Sequence, residues 1–99
     1  MSELLKPKIT VIDITVLDTE YSHNFLGSTR QFSFQLRTSD NVRFAFVADL
    51  VATSTDPYAT LKAGQAYSSP EKFELPMDGL SLYVANANGS VQLEIVEWY

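Results

Sequence analysis

The single histidine of the chain, His23, stands three residues after Glu20 and five after Asp18, and this is the densest grouping of titratable side chains in the sequence. An imidazole with two carboxylates could hold a metal ion or pass a proton. The same three residue types also occur together in ordinary polar loops. Asp49 and Asp56 flank a polar stretch at 52–57 and could supply oxygens to calcium. They lack the one-in-two spacing of oxygen ligands that calcium loops use. Ser68 and Ser69 precede Pro70, and no serine lies in a nucleophile-elbow pattern. Asn88-Gly89-Ser90 matches the N-glycosylation acceptor triplet, but Asn-Gly is also the pair that tight turns require. Without cysteine there is no thiol nucleophile, disulfide or thiolate metal site. The reading is therefore of a chain without catalysis, metal or cofactor.

The aromatic side chains offer a second kind of chemistry. Tyr21, Tyr58, Tyr67, Tyr83, Trp98 and Tyr99 combine a flat apolar ring with a polar tip. Such rings belong in cores, at protein interfaces or under pyranose rings. Tyr83 and Trp98 are expected in the core, and the Trp98-Tyr99 pair is expected to be packed.

The elements that would position these groups are strands. Lys8 to Asp18 (KITVIDITVLD) is rich in β-branched residues and apolar on both faces, Ile12, Ile14 and Val16 on one and Ile9, Val11 and Leu17 on the other. That pattern predicts a central strand covered on both sides, or a strand whose second face meets another chain. Arg30 to Thr38 alternates with Phe32, Phe34 and Leu36 on one side. With the Ser39-Asp40-Asn41 turn and the returning segment Val42 to Ala52, it is expected to form the central hairpin. Asp56-Pro57 closes a loop, and Tyr58 to Leu61 and Gln65 to Tyr67 are short extended pieces. Lys72 to Leu75 and Leu80 to Ala85 follow as strands, with Met77-Asp78-Gly79 a turn between them. Asn86 to Gly89 reads as a hairpin loop with positive φ at Asn88-Gly89, leading into Val91 to Trp98 with Val91, Leu93 and Ile95 inward. Tyr21 to Thr29 has no clear periodicity and reads as a loop or one helical turn.

The fold predicted is all-β, a small antiparallel β-sandwich or jelly-roll-like barrel of about seven or eight short strands. One domain spans residues 8–99, preceded by an arm at 1–7. Met1 to Lys8 carries no apolar run of signal-peptide type. No stretch approaches the roughly 18 apolar residues of a membrane helix, so no membrane partner is expected. The net charge of −5, with seven basic residues scattered rather than clustered, argues against nucleic acid. Recognition is expected instead through Leu4, Leu5, Pro7, Ile9, Val11, Trp98 and Tyr99. A carbohydrate-binding or adhesion module using exposed aromatics is the alternative.

The second half carries Leu61-Lys62-Ala63-Gly64-Gln65-Ala66-Tyr67, then Leu82-Tyr83-Val84-Ala85-Asn86, then Val91 to Trp98 ending in Glu94-Ile95-Val96-Glu97-Trp98. This succession resembles small β-sandwich virion proteins of tailed bacteriophages over residues 61–98. The resemblance implies a structural part in the virion, as a capsid decoration (cement) or minor head protein made in the host cytoplasm. It also implies a protein partner, either the major capsid protein or further copies of the chain in a homo-oligomer such as a trimer.

Overall fold

A computed structural model describes residues 6–69 and 80–99. They form eight strands: β1 (Pro7–Ile14), β2 (Tyr21–Asn24), β3 (Gln31–Leu36), β4 (Val42–Ala45), β5 (Ala59–Leu61), β6 (Ala66–Ser68), β7 (Ser81–Ala85) and β8 (Val91–Trp98). There is no helix among the described residues. Two four-stranded antiparallel sheets result, ordered β1-β8-β3-β6 and β2-β7-β4-β5. The first strand pairs with the eighth, the second with the seventh, the third with the sixth and the fourth with the fifth. This is one long antiparallel ribbon rolled over on itself, with β8–β3 and β4–β7 contacts completing the sheets. The strand order is that of a jelly roll.

The alternation read from the sequence sets what lies between the sheets. Phe32 and Phe34 of β3, Val91, Leu93 and Ile95 of β8, Val42 and Phe44 of β4 and Leu82 and Val84 of β7 are all buried there. The Phe34 and Phe44 rings meet edge-on at 5.1 Å across the two sheets, and Tyr67 stacks on Phe34 at 5.1 Å. Each such ring contributes about 1.5–3 kcal/mol through burial.

Several expectations change. β3 and β4 are not a hairpin: they lie in opposite sheets, and residues 37–41 carry the chain from one sheet to the other. Facing apolar sides satisfy the alternation as well as adjacent ones would. The same holds for β7 and β8, so residues 86–90 form a crossing rather than a hairpin loop. Positive φ falls there on Gly89 (74°) and Ser90 (57°), not on Asn88. The Asn86 side chain shapes this crossing by accepting the N–H groups of Asn88 (2.7 Å) and Gly89 (2.6 Å). Tyr21 to Thr29 contains β2, an edge strand whose polar residues hid it. The strand expected at Lys8–Asp18 ends at Ile14 and is an edge strand, not a central one. Pro7 belongs to it rather than to an arm. Leu4, Leu5 and the expected strand and turn at 72–79 lie outside the described residues.

The two outer faces of the sandwich differ. Over the β2-β7-β4-β5 sheet, the segment 46–58 folds back, and Val51 is fully buried against Ala45 and Ala85, with Leu50, Tyr58 and Tyr83 around them. Arg43 pins this segment, donating from Nε to the Val51 carbonyl (2.7 Å) and from Nη2 to Asp18 Oδ1 (2.8 Å). No described segment covers the outer face of the β1-β8-β3-β6 sheet.

Candidate functional site

That bare face is built in rows fixed by register. Pro7, Trp98 and Gln31 form one row; Ile9, Val96, Ser33 and Ser68 the next; Val11, Glu94, Gln35 and Ala66 a third. Ile9 is 67% exposed, Val11 37% and Trp98 39%, so apolar side chains from neighbouring strands meet in open solvent at one pole. Beyond Val11 the face becomes polar. Glu94 accepts from Gln35 Nε2 (3.0 Å) and Arg37 Nε (2.8 Å), and Asp13 accepts from Gln92 Nε2 (2.7 Å). The Gln35 hydrogen bond first, then Arg37, holds the Glu94 carboxyl below its ordinary range.

The backbone at this pole is also open. Lys6 and Tyr99 exchange both N–H···O bonds, at 2.7 and 2.9 Å. Bonding alternates along an antiparallel ladder, so Lys8, Thr10 and Ile12 also face β8. Ile9, Val11 and Asp13 then turn their N–H and C=O groups away from it, along an edge with no strand beside it among the described residues. Eight consecutive residues of β1 pair with β8 without a bulge. Natural edges of this length are normally blunted by bulges, inward charges or lysines along the edge. Here Pro7, which has no N–H, and Lys8 blunt the start of the edge and Asp13 its far end, while Ile9 to Ile12 carry no charge.

Of the residues singled out from sequence, Pro7, Ile9, Val11 and Trp98 are thus brought together, whereas Tyr99, one residue beyond Trp98, alternates to the other side of the strand. Trp98, expected in the core, lies on this outer face. Its neighbour Glu97 takes the inward position, because alternation after Val91, Leu93 and Ile95 leaves that position to the carboxylate.

The Asp18, Glu20 and His23 grouping is taken apart by the fold. Asp18 pairs with Arg43, and Glu20 accepts the N–H of Asp49 at 2.9 Å. His23 turns inward and binds Glu97 through Nε2. Glu97 has no exposed surface, and its second oxygen accepts the Leu26 N–H (3.0 Å) and the Thr29 hydroxyl (2.6 Å). Burial pushes its carboxyl up, but the Thr29 hydroxyl, the Leu26 N–H and His23 together outweigh that and hold it below the ordinary value. The donors come from β2 and from the 25–30 connection, so the carboxylate ties both to the opposite sheet. A carboxylate-held imidazole can serve as a general base where a substrate reaches its other nitrogen. Here the ring lies edge-on to Phe25 at 5.0 Å, and its side chain is only 10% exposed. The sequence did contain the signal for this cluster, a glutamate in phase with three core residues.

Among the described residues no group of three or more His, Cys, Asp or Glu is placed to hold a metal ion, and Asp49 and Asp56 do not form one. No family model, curated protein or solved structure matches the chain.

Proposed function

We propose that this chain is a non-enzymatic structural module that attaches to a protein assembly through the outer face and free edge of β1. The resemblance over residues 61–98 makes the head of a tailed bacteriophage the first assembly to examine, with the module as a decoration or minor head protein. Its partner would be the major capsid protein or further copies of itself. The observation that carries this reading is the coincidence of exposed Ile9, Val11 and Trp98 with an eight-residue strand whose outer edge has no neighbour among the described residues, while the opposite outer face has its own cover. A strand adding to this edge would gain backbone hydrogen bonds and bury the apolar row together. The jelly-roll order fits the reading, since capsid proteins use it, but fold alone does not choose a function.

The test combines light scattering on a sizing column with co-sedimentation on purified phage head shells. The chain should form a closed oligomer or sediment with the shells. Ile9→Lys with Val11→Lys should abolish that association while leaving thermal unfolding unchanged. Removing Met1 to Leu5 separately tests the arm. A wild-type chain that stays monomeric and in the supernatant, or a double variant that associates undiminished, rejects the reading.

A further inference from the structure

A second site lies on the other sheet, where the 37–41 and 86–90 crossings meet the segment 46–58. Between them is a cavity of about 280 Å³, lined chiefly by Asp40, Asn41, Ser54, Tyr58, Thr60 and Asn88. This is the lower end of the roughly 300–1,000 Å³ of small-molecule sites, room for one ring rather than a chain.

Its charges are already answered from within. Arg43 is engaged by Asp18 and the Val51 carbonyl. Asp40 accepts the Asn41 N–H at 2.7 Å and Asn88 Nδ2 at 3.2 Å. What remains is neutral hydrogen-bonding capacity. The hydroxyls of Ser54, Tyr58 and Thr60, Asn41 Nδ2 and Asn88 Oδ1 have no partner among the described residues. Both amides are nonetheless fixed, because Asn41 Oδ1 accepts the Ala63 N–H (3.1 Å) and Asn88 Nδ2 is held by Asp40. The Tyr58 ring packs against the cluster of Ala45, Val51 and Ala85 and is half-buried, so its orientation is set before any ligand arrives. Fixed donors and acceptors lose little freedom on binding.

We infer that this cavity binds a neutral sugar ring, with Tyr58 as the stacking surface and Asn41, Thr60 and Asn88 reading ring hydroxyls. Hydroxyls that both donate and accept match the paired donor and acceptor character of a pyranose. The carboxylate of Asp40, with Arg43, the only cation among the described lining residues, already paired, disfavours acidic sugars and phosphates. The site is separate from the docking face on the other sheet, and either can fail without the other.

The experiment is a two-dimensional amide NMR titration of the intact chain with methyl glycosides of glucose, galactose and mannose, and with glucuronic acid as the anionic control. At least one neutral glycoside should give saturable shifts confined to Asn41, Tyr58, Thr60 and Asn88. Glucuronic acid should give none. Thr60→Val, on an exposed strand position, should weaken binding about fivefold, and Tyr58→Ala about tenfold. Because Tyr58 also packs, Tyr58→Phe provides the second variant, keeping the ring and most of the affinity. No saturable shift with any neutral glycoside overturns the inference. Tighter binding of glucuronic acid, or shifts mapping to Ile9 and Trp98, would do the same.

Discussion

Glu97 on β8 accepts from His23 on β2, so one carboxylate joins strands of opposite sheets through the interior of the sandwich. Removing either partner leaves the other buried and under-satisfied, a loss of about 3–5 kcal/mol for well-buried pairs. His23→Ala and Glu97→Ala should each lower stability by about 3 kcal/mol in urea unfolding. The double variant should lose clearly less than the two added together. Strict additivity would mean that the contact carries no coupling.

Acid should act through the same carboxylate. The unfolded chain takes up its Glu97 proton near the ordinary value of 4.5, whereas the folded carboxyl holds it off to lower pH. The unfolded state therefore binds more protons in that window, and stability falls as pH drops. The contribution is complete above 4.5 and disappears as pH passes down through the folded value. Asp40, through the Asn41 N–H and then Asn88, and Glu94 shift the same way but are more exposed. Urea midpoints measured across the acid range should fall less steeply for Glu97→Gln than for the wild type.

The two faces of β1 should respond oppositely to substitution. Ile14 is fully buried and Ile9 is 67% exposed on the same strand. Ile14→Ala should remove about 3 kcal/mol, while Ile9→Lys should stay within about 0.5 kcal/mol. Calorimetry on the two variants separates them, and an equal loss would mean that Ile9 is covered in the free chain.

Two glycines with similar backbones should differ. Gly89 has φ 74°, and a Cβ there would stand 3.0 Å from the Thr15 carbonyl oxygen. Gly64 has φ 80°, with nothing within 4 Å of the same atom. Gly64→Ala should lose about 1 kcal/mol from the left-handed backbone alone. Gly89→Ala should lose visibly more in a thermal melt, and the reverse order would contradict the close approach of the crossing to Thr15.

The fold class was legible because alternation reports burial directly. Phe32, Phe34 and Leu36, and Val91, Leu93 and Ile95, point inward where their spacing places them. Partnership was not legible. Ser39-Asp40-Asn41 and Asn86 to Gly89 have turn chemistry, and turn chemistry does not distinguish adjacent strands from facing ones. Tyr21 to Asn24 escaped notice because a short edge strand needs few apolar residues. The apolar second face of β1 could be read from Ile9 and Val11. Its exposure depends on β1 lying at the edge, which is settled by pairing some eighty residues away along the chain.

The strand between β1 and β3 is β8, the last of the eight in chain order. Until it arrives, one sheet has a gap at its centre, and the apolar sides of Ile12, Ile14, Phe32 and Phe34 have nothing between them to close against. Closure across so long a separation is entropically slow. During synthesis the growing chain therefore cannot complete its fold in stages, and this sheet closes only after Val91 to Trp98 has emerged.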